Sequence, residues 1–262
     1  MRHELPSGTV TFLFTDVEGS TSLLHELGAE AYAAELEEHR RVMPREAAYA
    51  TMSRGMQAGN SGSIDEACEL LKQALVEFER LGDSYLVHLT RFNIDAFEGA
   101  RWPLDAQAAR RLVKSFRAAI GDARSVEDLG DEIASLEALS HVLIDAGEHA
   151  ESRAVALQTA AMIRASHAGR NHLPGVAIAL ARTEALRGRH DRALALIGSV
   201  RAIASDLPTH PVLLPPLEAV EAACRAALDE TSAARAIARG EAMDLDSLFD
   251  YLDTEFPSVN GG

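Results

Sequence analysis

The sequence predicts a mainly all-α chain, a stack of helical hairpins preceded by one short β-strand. Three observations predict it. Ala (46) and Leu (32) dominate the 262 residues, while aromatics make up only 5%, a composition that favours helix over sheet. Glycines at helix-turn positions recur, with Gly147 and Gly188 separated by 41 residues and Gly62 by 85 from Gly147, about two such periods. The third observation is a change of texture: no Ala occurs before Ala29.

The first element is the strand. Gly8 precedes Thr9-Val10-Thr11-Phe12-Leu13-Phe14, a β-branched and aromatic run of the kind found in buried strands. Thr15–Thr21 is a small polar loop. A helix follows from about Ser20 to Met43, with Leu23, Leu24, Leu27, Ala31 and Ala34 at helical spacing. Pro44 interrupts it, because proline lacks the N–H and clashes with the preceding turn.

The hairpins come next. Gly62 is followed five residues later by Ala67, Gly147 by Ser152 and Gly188 by Ala193. The glycine permits the sharp turn, and the small residue lets the two helices of one hairpin approach. A missing turn is expected near Gly99–Pro103, where Trp102-Pro103 breaks the helical pattern. A fifth is expected near Asp229, before a helix over Thr231–Gly240. Equal spacing of this kind means stacked hairpins, none of which buries its apolar face alone.

Charge and composition exclude several classes. The net charge of -15 argues against nucleic acid and anionic membrane, both of which need a basic patch. No apolar run approaches the roughly 20 residues of a membrane span, and Thr9–Phe14 is too short for a signal peptide's core. Two Cys, Cys68 and Cys224, exclude a disulfide scaffold and read as buried small apolar residues. The expected location is cytoplasmic. Ten His are scattered, and His167 and His172 around Gly169 lack zinc-ligand spacing. Trp102 reads as a core or turn anchor. Leu207–Leu217, with four prolines, reads as an extended spacer. Asp229, Glu230, Asp244, Asp246, Asp250 and Asp253 make an acidic end, and Phe249, Tyr251, Leu252 and Phe256 are placed to cap the last hairpin.

Gly62–Leu75 resembles the tetratricopeptide repeat family, and the likeness extends over roughly Ala47–Gly240. That family's period is 34 residues, so these helices or loops are expected to be longer. The resemblance implies a solenoid whose groove receives a protein or peptide. Phe12-Leu13-Phe14-Thr15-Asp16-Val17-Glu18-Gly19-Ser20-Thr21 is similar to the first strand and metal loop of class III adenylate/guanylate cyclases, and Leu5–Gly8 and His39–Arg41 extend the likeness to about Arg45. It implies that Asp16 is a carboxylate ligand of two Mg or Mn ions, that Val17 adds a backbone carbonyl, and that Glu18, Gly19, Ser20 and Thr21 lie near a triphosphate at a helix start. The family's second aspartate has no counterpart in a strand context. Gly82-Asp83-Ser84, Gly121-Asp122-Ala123 and Gly130-Asp131-Glu132 all fall in the Ala-rich helical region. Ala236–Leu245 looks like the tail of actinobacterial-type regulators that carry a cyclase domain, an ATPase module and helical repeats. No Gly-rich phosphate loop ending in Gly-Lys-Ser/Thr is present.

The organisation read from the sequence is a cyclase-like segment over 1–45, helical repeats over 46–243 and an acidic C-terminal tail over 244–262. The expected function is an interaction or sensory module of a signalling regulator without cyclase activity of its own. The alternatives are a two-metal nucleotide cyclase completed by another chain, and a small-ligand sensor using the solenoid groove. No other cofactor is expected.

Overall fold

In a computed structural model, residues 44–256 are described. The chain divides into two compact units, 1–47 and 48–262, and apart from 44–47 the described residues belong to the second. They hold eleven α-helices and no strand: α1 (Pro44–Asn60), α2 (Ile64–Leu81), α3 (Ser84–Gly99), α4 (Ala106–Ser125), α5 (Leu129–Asp145), α6 (His149–Ser166), α7 (Leu173–Leu186), α8 (His190–Ala202), α9 (Leu214–Ala227), α10 (Glu230–Glu241) and α11 (Leu245–Glu255). The strand expected over Thr9–Phe14 and the helix from Ser20 lie outside the described residues. Pro44 opens α1 instead of only ending an earlier element, as its fixed φ and missing N–H suit a first helical turn.

Consecutive helices pair as antiparallel hairpins. All five turns fall where the glycine spacing places them: after Asn60, after Gly99, after Asp145, after Leu186 and after Ala227. Gly62, Gly147 and Gly188 have φ of 89°, 86° and 73°, a left-handed geometry that a side chain disfavours. The small residues five positions on, Ala67, Ser152 and Ala193, are each 0% exposed. They lie at the helix contact that the sequence pattern implies. The turn after α9 carries no glycine. Asp229 accepts the N–H of Ser232 at 2.9 Å and caps α10.

The odd-numbered helices form one layer, in which α3 packs on α5, α5 on α7 and α7 on α9. The even-numbered helices lie behind them, α2 packing on α3, α4 on α5, α6 on α5 and α7, and α8 on α7 and α10. The layers bury three apolar clusters. One spans α1–α3 around Leu71 and Phe78, one spans α4 and α5 around Leu112 and Phe116, and the largest runs from α5 to α11 around Leu180 and Leu196. Both cysteines are buried and free.

The closest approach is between α8 and α10. A Cβ at Gly240 would stand 1.9 Å from the carbonyl oxygen of Ala195, and one at Gly198 2.3 Å from that of Ile237. Two glycines facing each other bring the backbones together. Residues 245–255 are helical, and Leu248, Phe249 and Leu252 of α11 are buried in the largest cluster. Arg164 of α6 binds Asp250 at 2.7 Å and also pairs with Asp253. So α11 packs across α6, in the middle of the stack, and covers the even-numbered side there, with the last hairpin touched through Arg239 over the Tyr251 ring. Between α8 and α9 the chain is extended only as far as His210. Pro211–Leu213 forms a 3₁₀ turn and α9 begins at Leu214. No described helix is long and apolar enough to cross a membrane.

Candidate functional site

The odd-numbered layer lines a half-open cavity of about 360 Å³. Its apolar walls come from Met56 of α1, Phe92 and Phe97 of α3, Phe116 of α4, and from Trp102 and Val212 in loops. The proline-rich segment bridges it. His210 Nε2 stands 2.9 Å from Asn60 Oδ1 of α1, across 150 residues of sequence. The open groove expected of a repeat stack is thereby narrowed at that point.

Its polar side is built on α5. Glu137, His141 and Asp145 are spaced by four residues, so they line one face of that helix, and all three line the cavity. Each is engaged. Glu137 Oε2 pairs with His172 Nδ1 at 2.5 Å. The Glu137 carboxylate lies over the first turn of α7, so close to Gly175 that a Cβ there would meet Oε1 at 1.6 Å. That turn is the positive end of the helix dipole and favours an anion. Asp145 Oδ1 accepts from Arg182 Nη2 at 2.5 Å, and the Arg182 side chain is only 7% exposed.

His141 links the two pairs. Its Nε2 donates to the Gly175 carbonyl at 3.0 Å, and its Nδ1 faces Arg182 Nη1 at 3.4 Å. Only the neutral ring, protonated on Nε2, suits both neighbours. Burial, reinforced by the Arg182 guanidinium, lowers its pKa to about 3. Burial pushes the Asp145 carboxyl upward, while Arg182 pulls it back. The floor therefore holds one ion pair, Asp145–Arg182, a Glu137–His172 contact and one uncharged imidazole.

Asp16, Val17, Glu18, Gly19, Ser20 and Thr21 lie outside the described residues. Among the described residues no group of three or more His, Cys, Asp or Glu side chains is arranged to hold a metal ion. Of the aspartates weighed as a second carboxylate, Asp83 caps α3 by accepting the N–H of Leu86 at 3.1 Å. Asp122 stands 3.5 Å from His88, and Asp131 lies in the first turn of α5. His167 ends α6 with φ of 57°, while His172 belongs to the pocket. Trp102 is 38% exposed and lines the same cavity.

The sequence reading missed Glu137, His141, Asp145, Arg182 and His210. A signal existed for three of them: a charged or imidazole stripe at four-residue spacing in a helix whose remaining residues after its first turn are Leu, Ile, Val, Ala and Ser. Arg182 stood out less, as one of only two charged residues in α7. Compared with protein-family models, with curated proteins and with solved structures, the chain matches none.

Proposed function

We propose that this chain is a helical-repeat binding module whose inner pocket holds a small, uncharged organic molecule, as the sensory part of a signalling regulator. The observation that carries the reading is the charge balance of the floor. Glu137 is met by His172 and Asp145 by Arg182, and His141 is neutral. Glu137 is already engaged by His172 and the first turn of α7, and Asp145 by Arg182, so a charged ligand would find no unengaged polar partner in that floor, and burying it would cost several kcal/mol. An aromatic or aliphatic body fits Phe92, Phe97, Phe116 and Trp102, and Asn60 and Asn93 at the rim offer amide groups for orientation. The volume is within the range of small-molecule sites.

The peptide-groove reading narrows under this proposal. With His210 bridging to Asn60, the narrowed space suits a compact ligand better than an extended segment. The test uses the neutral fluorescent probe N-phenylnaphthylamine and the whole chain. Saturable fluorescence enhancement is expected, with loss of about tenfold or more in affinity in Ala96→Phe, which fills the cavity from α3. Equal probe binding by both proteins, with unchanged melting temperatures, overturns the assignment.

A further inference from the structure

A second cleft, of about 740 Å³, lies on the far side of α7. Helix α7 carries two charged residues, Arg182 and Glu184. Two positions along a helix are roughly 200° apart, so the pair points to opposite faces. Arg182 enters the inner pocket. Glu184, whose side chain is 0% exposed, faces Arg153 Nε at 3.3 Å, Arg187 Nη1 at 3.4 Å and Arg189 Nη1 at 3.6 Å.

One buried carboxylate needs one guanidinium. Here it holds three, and a fourth, Arg192, stands beside them and pairs with Glu255 at 2.9 Å. Four arginines and two carboxylates leave a formal excess of two positive charges, in a chain whose net charge is -15. All four arginines line the cleft with His149. They are also held in place. Arg153 and Arg192 stack on the Phe256 ring at 5.4 and 5.8 Å from its centroid, and Arg187 and Arg189 flank the tight turn at Gly188. Arg153 is pushed below the usual arginine range by burial, with Glu184 opposing and Arg187 and Arg189 adding to the shift. The structure thus gathers like charges at an electrostatic cost, which a bound anion would relieve.

The backbone adds donors. Helix α6 starts at His149 and α8 at His190, both at the cleft. Neither first turn receives a side-chain cap, from Glu148 or from Arg189. Free N–H groups at the positive end of a helix suit phosphate. Arg187 and Arg189 each commit a single Nη to Glu184, so the rest of each planar fork is available for bidentate contact with a tetrahedral anion. The cleft is bounded by α6, by the α7–α8 turn and by Thr254 and Glu255 of α11, which favours a compact ligand over a long chain.

We infer that this cleft binds a small phosphorylated molecule, its phosphoryl group gripped by Arg153, Arg187, Arg189 and Arg192. Glu184 acts as the buried anchor that sets the three guanidinium positions. The site is separate from the inner pocket and does not depend on what that pocket binds.

The probe is inorganic pyrophosphate, titrated calorimetrically into the whole chain at low ionic strength, with inorganic phosphate in parallel. Saturable binding of pyrophosphate is expected. Arg187→Gln combined with Arg189→Gln should weaken it by about tenfold or more. Arg192→Gln, which leaves every Glu184 contact in place, should also weaken it and keeps the test valid if the double variant is unstable. Arg110→Gln, an exposed arginine elsewhere, should leave it unchanged. Absence of saturable binding up to about 10 mM, well below ordinary ligand affinities, overturns the proposal. Equal weakening by Arg110→Gln and Arg192→Gln does so too, since it would reduce the effect to net charge.

Discussion

Helices α2 and α7 lie in different layers and different parts of the stack, and they are buried in different ways. In α2, Ala67, Cys68, Leu71, Ala74 and Phe78 form one buried stripe, and the opposite face is polar. In α7, twelve consecutive residues from Leu173 to Glu184 are buried. The reason is layering. Helix α2 packs chiefly on α3 and shares a cluster with α1, whereas α7 is enclosed by α5, α6, α8 and α9. A helix covered all round cannot be amphipathic, and any charged residue on it must be paired. Both charged residues of α7 are paired: Arg182 lines the inner pocket, and Glu184 lies buried behind the arginines that line the second cleft. The early hairpins are built as an ordinary repeat stack. The later ones form a denser body that carries the charge-bearing sites.

The comparison can be broken most directly in the first hairpins. Phe78 is 0% exposed in the α1–α3 cluster, and Phe78→Ala should cost about 3–5 kcal/mol. Because stability in repeat stacks is largely a sum of local and neighbouring terms, hydrogen exchange should speed up over α1–α3 and stay slow over α7 and α8. A uniform loss of protection would mean that the two regions form a single cooperative unit.

The dense region is probed by a smaller change. Gly240→Ala places a methyl group 1.9 Å from a backbone oxygen, which only backbone movement can relieve, so a loss of about 3 kcal/mol is expected in urea unfolding. Gly121→Ala in α4 meets no heavy atom within 4 Å. It should stabilise by roughly 0.5–1 kcal/mol through helix propensity. Similar effects from the two substitutions would remove the distinction in packing.

The finest test is pH. The unfolded His141 protonates near its ordinary value of 6.5, while the folded ring stays neutral down to about 3. The unfolded state therefore binds more protons in that window, and stability falls as pH drops below 6.5, by up to about 1.4 kcal/mol per pH unit. The raised pKa of Asp145 acts in the opposite sense, since its folded form gains a proton first. His141→Gln should lose about 2 kcal/mol less than the wild type between pH 6.5 and 5. Parallel pH profiles would show that the ring titrates freely and that the pocket floor is open to water.

Much of the repeat stack is legible in the sequence alone. Gly62, Gly147 and Gly188 announce their turns because only glycine sits comfortably at positive φ. Ala67, Ser152 and Ala193 announce the helix contacts because a larger residue would separate the helices. Trp102-Pro103 and Asp229 mark the two turns that lack this glycine. The sites are less legible. The spacing of Glu137, His141 and Asp145 is visible on α5, but its partners His172 and Arg182 come from the next repeat and nothing local points to them. Leu207–Leu217 reads as a spacer because prolines discourage helix. Its bridging role depends on His210 reaching Asn60, a contact that no short-range pattern encodes.

The sequence by itself determined the helices, their order and the five turns, since these follow from local backbone preference and the spacing of apolar and small residues. Tertiary structure alone decided that α7 is enclosed on all sides, that a proline-rich loop bridges the groove, and that three arginines converge on one buried carboxylate. Those outcomes join residues from different repeats, and charge compensation between distant positions is a property of the packed stack, not of any segment within it.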